Sequence, residues 1–446
     1  MNKQEYILSK ESIGKALFKL SAPAMIGMVV MALYNLVDTI FVGRGVGVLG
    51  IAGVAIVFPI QMIVMALSQT IGIGGSSLIS RLIGAQKKDE AEHVLGNVFS
   101  LVFWSSIILM ILGIIFLRPL LLMFGATETI LPSAVSYGRI ILFGTVFFSF
   151  LMAGNNIIRA EGNAKAAMVT MLIGAILNII FDPIFIFWFD MGISGAALAT
   201  VLSQLIAFIY IVYYFASKRS MLRLRRRHTK LHKPYVKEIF AVGSSSFVRM
   251  SAGSVMAIVL NNTLAIFGGD IAIAAFGIIN RLLAFLFMPM FGVVQGMQPI
   301  VGYSVGAKNL ERARHSIRLS INTTTIMSVI AFVILLIFPR QLLNIFSTDQ
   351  GLLDLGSRAM RIIVIMLPTI GFQVVVAGMY QAMGRAKEAL VLSSLRQVIL
   401  LVPLLLILPH FFGLDGVWYS FFVADGSAVF VTWWMYVREL RVIANV

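Results

Sequence analysis

The sequence predicts an all-α integral membrane protein, with twelve transmembrane helices in two homologous six-helix bundles. Three observations carry that prediction. The chain has 446 residues, of which 59% are hydrophobic and only 12% charged, whereas soluble domains carry about 25% charged residues. Its mean hydropathy is +0.95, more apolar surface than a soluble core can use. Apolar runs recur at roughly 35-residue intervals, each long enough for the ~20 residues that cross a bilayer. Finally, a set of short polar motifs occurs twice, at a constant offset of 222 residues.

Spans one to six are expected at 15–41, 48–79, 93–117, 133–158, 167–189 and 193–215. Spans seven to twelve follow at 237–267, 271–303, 315–338, 356–382, 389–411 and 415–437. Runs this long and continuous fit helices, because barrel strands alternate with a period of two and are only about ten residues long. The first residues, MNKQEYILSKESIGK, are polar and lack the short apolar region and cleavage site of a signal peptide. Cysteine is absent, so no disulfide or thiolate chemistry is expected.

The formal charge of +16 is spread unevenly. The densest basic cluster, SKRSMLRLRRRHTKLHKPYVK (Ser217 to Lys237), lies between spans six and seven. Arg81, Lys87, Lys88, Arg159, Lys165, Lys308, Arg312, Arg314, Arg385 and Lys387 occupy other connections on the same side. The opposite side holds few, among them Arg44, Arg118, Arg139 and Arg340. Such asymmetry in short loops sets orientation, so both termini are expected to be cytoplasmic, in a plasma membrane. Anionic lipid headgroups, not nucleic acid, are the partners this basic cluster suits.

The repeat defines the organisation. GAQKKDEAEHVLGN from Gly84 matches GAKNLERARHSIRLS from Gly306, and AEGNAKAA from Ala160 matches AMGRAKEA from Ala382. GISGAAL at Gly192 corresponds to GLDGVWY at Gly413, one residue out of step. The expected units are an N-terminal lobe (1–215), a basic cytoplasmic linker (216–236) and a C-terminal lobe (237–446). Six spans per half give both halves the same orientation. Transporters built this way place substrate between the halves and rock to alternate access. A channel needs a filter or ring of charges, which is not evident.

The repeat also exposes what is not repeated. Asp38 falls opposite Leu260, and Asp182 opposite Pro403 or Leu404. Asn178 and Thr200 likewise meet apolar residues, so the fold does not require this polar set. Asn178 and Asp182 are spaced i,i+4 and share a helix face, with Gly174 one turn earlier leaving room for a neighbour or a wet pocket. A charged Asp at mid-membrane costs roughly 2.5–3.5 kcal/mol on insertion scales and needs a partner, a proton or an ion. Asp38 follows Tyr34 by one turn. Two carboxylates close together cannot easily both ionise, which permits proton binding, while the oxygens of Asp38, Asn178, Asp182 and Thr200 equally suit Na+ as a hard cation.

Other polar residues carry bland alternatives. Asn155 and Asn156, late in span four, could face the same cavity or bond neighbouring helices. Pro23 removes an amide donor and can bend span one. Arg396 and Asp425 are read as a buried structural ion pair, while Arg249 and Arg281 have no evident role. The Met and Phe content could line an adaptable drug cavity, though most such residues serve packing and lipid contact. GISG at Gly192 looks like a serine-protease motif, but no histidine lies mid-span and the mate GLDG lacks the serine, so the glycines read as a tight turn. His228 and His232 have metal-compatible spacing yet sit among Arg and Lys. No phosphate-binding loop appears, so neither an enzyme nor ATP-driven transport is expected.

LYNLVDTIFVG (Leu33 to Gly43), GAQKKDEAEHVLGN, RAEGNAKAAM, NIIFDPIFIF, QPIVGYSVGAKNLERAR and GLDGVWYSFFVAD together resemble the multidrug and toxic compound extrusion (MATE) family over about residues 12–440. The resemblance implies a V-shaped pair of six-helix lobes that expels cationic, amphipathic compounds in exchange for Na+ or H+. It also implies a coupling-ion site at Asp38, Asn178, Asp182 and Thr200, with Pro23 at the bend of span one. Some relatives carry acids in spans seven and ten, where this chain shows Arg249 and Gln373, so a cation site of that kind is not expected in the C-lobe. No cofactor beyond the coupling ion is expected, and the chain is expected to act as a monomer. The alternative is a lipid-linked precursor flippase of the same superfamily, whose cleft would carry several cationic residues.

Overall fold

The computed structural model describes residues 3–217 and 219–444, with the side chains of 48, 226 and 442–444 outside the description. A short helix α1 (Lys3–Ser9) precedes α2 (Ile13–Val46), α3 (Val48–Gly84) and α4 (Lys88–Ile115). The short α5 (Leu117–Met123), then α6 (Leu131–Ala160), α7 (Ala164–Pro183) and α8 (Gly192–Ala216) complete the first half. The second half holds α9 (Lys233–Gly306), α10 (Leu310–Ile337), α11 (Pro339–Asn344), α12 (Gln350–Ile363), α13 (Leu367–Met383), α14 (Ala386–Ser394), α15 (Val402–Phe412) and α16 (Leu414–Ala444).

Among the described residues, 10 helices are long and apolar enough to cross a membrane. Helix α9 counts as one of them, although its 74 residues at 1.5 Å each would run about 110 Å, well over three times the ~30 Å hydrocarbon core. It breaks at Gly269, whose φ of 63° and ψ of −163° are not helical, and so supplies spans seven and eight. With α16 the spans number twelve. Other departures are local. Helix α4 begins at Lys88, five residues ahead of the expected span, because Asp89 and Glu90 in its first turn suit the positive end of a helix dipole. Spans five and eleven pass through π-helical turns at Ile184–Trp188 and Leu395–Leu401.

The backbone repeats along with the sequence. Gly47, between α2 and α3, has φ 77° and ψ −164°, almost the geometry of Gly269 at the equivalent position. A side chain there would strain a left-handed φ, so glycine marks both helix breaks. Gln86 and Lys308, Gly162 and Gly384, and Gly192 and Gly413 form further matched pairs of positive φ, the last at the one-residue slip.

Loops 85–87, 161–163, 307–309 and the stretch before α9 share one end of the bundle, here the linker end. The apolar packing explains the shape. One buried cluster spans both lobes toward the linker end, uniting Leu20, Ile71 and Ile79 with Val293, Met297 and Val376. At the far end the lobes have separate cores, one around Val57, Leu121 and Tyr137, the other around Leu264, Phe276 and Trp418. The result is a V closed at the linker end. Symmetric close approaches seal it: a Cβ on Gly84 would lie 2.0 Å from the Tyr303 carbonyl oxygen, and one on Gly306 would lie 1.9 Å from that of Arg81. Arg81 also donates to Glu238 Oε1 at 2.8 Å, and the Ser77 hydroxyl donates to the Gln381 carbonyl. Arg312 fastens the N-terminal segment to the second lobe by donating to the carbonyls of Leu8 at 2.8 Å and Glu11 at 2.8 Å.

The linker is folded against the first lobe. Glu161, fully buried, accepts from the hydroxyls of Tyr214 at 2.8 Å and Ser220 at 2.6 Å, and from the amides of Met221 and Leu222. Asn97 accepts from the His232 amide at 2.6 Å and donates to the Lys230 carbonyl at 3.1 Å. His228 is buried beside His93, their rings 3.8 Å apart.

Candidate cation-coupling site

Three helices of the first lobe converge in its far half. Helix α2 presents Tyr34 and Asp38 one turn apart, and α7 presents Asn178 and Asp182 with the same spacing, so each helix turns a pair toward the other. Asp182 has no exposed surface, and Asn178 and Thr200 are 2% and 8% exposed. The Asn178 amide bridges α7 to α8: its nitrogen donates to Asp182 Oδ2 at 2.9 Å, and its oxygen lies 3.2 Å from the Thr200 hydroxyl. Tyr34 of α2 lies beside Thr200 of α8, where the two helices meet. The carboxyl groups of Asp38 and Asp182 lie within hydrogen-bonding reach of each other.

That last contact decides the chemistry. Two carboxylates are acceptors only, so oxygens this close need a proton or a cation between them. Among the described residues, neither acid forms a salt bridge with Lys or Arg, and the surrounding oxygens of Asn178, Thr200 and Tyr34 are neutral. The donor set is all oxygen, which suits either a hard cation or a shared proton.

The expected residues Asp38, Asn178, Asp182, Thr200 and Tyr34 therefore come together. Tyr137, buried and close to both acids, and Gln61 beside it border the site and were not anticipated. The repeat comparison contains their signal, since Tyr137 and Gln61 stand opposite Ala359 and Leu283. Gly174 has nothing within 4 Å of a built Cβ, so it leaves open space and packs against no helix.

Asn155 and Asn156 lie elsewhere, toward the linker end of α6. Asn155 accepts from the Thr170 hydroxyl at 2.7 Å. Asn156 donates to Gln69 at 2.8 Å and accepts from Arg159 at 2.8 Å. Both bind helices together, and neither reaches the acidic pair. Pro23 sits buried inside an unbroken α2 and denies the Lys19 carbonyl its helical donor. In the second lobe Arg396 and Asp425 form an ion pair through two guanidinium nitrogens, with Asp425 4% exposed. Gln373 donates to the Asp425 carbonyl at 3.3 Å. Arg249 is half-buried and Arg281 exposed, and among the described residues neither has a carboxylate partner.

A twelve-span, two-lobe bundle with an acidic cluster in one lobe has the architecture of a secondary transporter. The MatE family model matches residues 23–184 and 246–407, one match in each half, and the chain belongs to this family, the multidrug and toxic compound extrusion transporters. The multidrug export protein MepA of Staphylococcus saprophyticus is 28% identical over 426 residues, covering 95% of this chain and 93% of its own. The MATE multidrug transporter DinF-BH, whose structure was solved as a complex, is 44% identical, covers 98% of each chain and superposes with a TM-score of 0.90. A MATE structure in the bent conformation is 29% identical, covers 100% of this chain and 99% of its own, and gives a TM-score of 0.94.

Proposed function

We propose that this protein exports organic cationic, amphipathic compounds by alternating access, in exchange for Na+ or H+ bound between Asp38 and Asp182. The observation that carries the reading is the approach of those two carboxyl groups in a lobe whose repeat mate has none. Occupied by an ion, the pair is neutral and exerts no pull on a cationic drug. Vacated toward the far side of the V, it regains negative charge and favours the next cation. The names of the relatives, multidrug export protein and multidrug transporter, support the cargo class. The basic loops at the linker end support a plasma-membrane orientation with both termini and the linker in the cytoplasm. The transport unit in this reading is one chain.

The test is dye efflux from proteoliposomes with Na+ and H+ gradients imposed separately. One gradient should drive efflux and the other should not. Efflux indifferent to both removes ion coupling from the reading. Arg249 and Arg281, cations without acid partners among the described residues, support a second reading as a flippase for lipid-linked precursors. Movement of a fluorescent pyrophosphate-linked lipid in the same vesicles, without dye efflux, selects it.

A further inference from the structure

A groove of about 510 Å³ opens on the outside of the first lobe, between α4, α6 and α8, close to the linker. Its walls are aromatic: Phe99, Phe103, Trp104, Phe150, Phe208 and Phe215 line it. Phe99 packs edge-on against Phe215 with centroids 5.2 Å apart, and Phe150 meets Phe208 at 5.3 Å, so the floor is a fixed stack. Volumes of about 300–1,000 Å³ are typical of small-molecule sites. None of these side chains reaches the acidic pair, and the transport reading leaves the groove unused.

The linker closes one end. Leu224 and Thr229 contribute to the lining, and the Ser100 hydroxyl donates to the Thr229 carbonyl at 2.7 Å, which fixes the level at which linker meets groove. Leu224 is 44% exposed, an apolar side chain set among arginines. The cations on this rim are incompletely neutralised. Arg225 faces Glu92 at 3.5 Å and Arg227 faces Asp89 at 2.8 Å. Arg223 donates only its backbone amide to Glu92, and among the described residues Arg223 and Lys230, the chain neighbours of the lining residues Leu224 and Thr229, have no carboxylate partner.

We propose that this groove is a binding site for an anionic phospholipid, with an acyl chain on the Phe99–Phe150–Phe208–Phe215 floor and the phosphate held by Arg223 and Lys230. The two halves of the site match the two halves of the ligand. An apolar, aromatic cleft at membrane depth takes hydrocarbon, and a basic strap where the helices leave the membrane takes negative charge. Such a lipid would hold the linker down on the first lobe, supplementing Glu161 and Asn97.

The experiment is lipid retention by the purified full-length protein, read by native mass spectrometry from nanodiscs containing equal phosphatidylglycerol and phosphatidylcholine. The wild type should retain phosphatidylglycerol in preference. Arg223→Gln with Lys230→Gln should lose that preference by about fivefold per charge removed. Val212→Trp, which fills the groove, should lose bound lipid of both kinds while its melting temperature in detergent stays near wild type. A variant-free arm raises the salt to about 1 M, where the screening length falls to ~3 Å, and should also abolish the preference. Equal retention of both lipids by the wild type, an unchanged preference in the double variant, or full retention after the groove is filled would each overturn the assignment. These readouts need no transport, so they stand or fall separately from the efflux mechanism.

Discussion

Neutralising either acid with Asn keeps the volume and the hydrogen bonds but removes the charge that an ion must answer. Asp38→Asn and Asp182→Asn should each reduce gradient-driven efflux to the level of empty vesicles, and detergent melts should show no loss of stability. A gain is the expected direction, because an ionised Asp at mid-membrane costs roughly 2.5–3.5 kcal/mol. Transport at the wild-type rate by either variant would take that residue out of the coupling site. The pair in the second lobe behaves oppositely. Asp425 is fully enclosed and answered by Arg396, so Arg396→Ala should destabilise by about 3–5 kcal/mol, while adding Asp425→Ala should restore much of the loss; equal melting temperatures for single and double variants would show that the two do not depend on each other. Asp38, Asn178, Asp182 and Thr200 were legible in the sequence because the second lobe supplies an internal control that lacks them. Asn155 and Asn156 were not separable from that set, since polarity within a span does not reveal depth or which neighbour a side chain meets. Tyr137 and Gln61 were missed because they sit on helices with no acid to draw attention to them.

At the scale of the element, the linker is the part that sequence described least well. Its charge pointed only to anionic lipid headgroups as partners, yet residues 219–232 are pinned by Glu92, Asn97 and Glu161, three buried side chains of α4 and the α6–α7 loop. None announces itself in one dimension, because each partner lies over 50 residues away. Burial pushes the Glu161 carboxyl up from 4.5 to about 7, and four donors, from Ser220, Tyr214, Met221 and Leu222, pull against that rise without cancelling it. The folded value exceeds the unfolded one, so the docked linker binds more protons than the released one between those two values. Its stability is therefore complete below about pH 4.5 and is lost progressively as the pH rises through 7, by about 3 kcal/mol from the shift. Hydrogen exchange at the Met221 and Leu222 amides, corrected for intrinsic rate, should show falling protection over that window and a plateau above it. Glu161→Gln should flatten the profile. A wild-type profile already flat between pH 4.5 and 7 would mean that Glu161 stays ionised in the docked state.

For the whole molecule, twelve spans and two lobes followed from hydropathy and the 222-residue offset, since burial in lipid leaves long apolar runs as the only solution. The closed end of the V was not legible, because it depends on how two similar lobes meet. That meeting rests on glycine: Gly84 and Gly306 each let a helix touch the carbonyl of the opposite lobe at positions related by the repeat. Overpacking such a contact costs about 1–3 kcal/mol, applied directly to the arrangement in which the linker end is shut. Gly306→Val should therefore shift the protein toward opening at that end. The chain has no cysteine, so Ser77→Cys provides a single thiol at a position that is 5% exposed and faces Gln381 across the lobe boundary. Maleimide should label Ser77→Cys slowly in the otherwise wild-type protein, and about tenfold or more faster once Gly306→Val is added. Gly253→Val, at a helical glycine with nothing within 4 Å of a built Cβ, is the control and should leave the rate unchanged. Equal labelling with Val or Gly at position 306 would mean that the ion pair of Arg81 with Glu238 and the anchored α1, not the glycine contacts, keep the lobes together. Combining Gly306→Val with Arg81→Ala would then open the end where the single change did not.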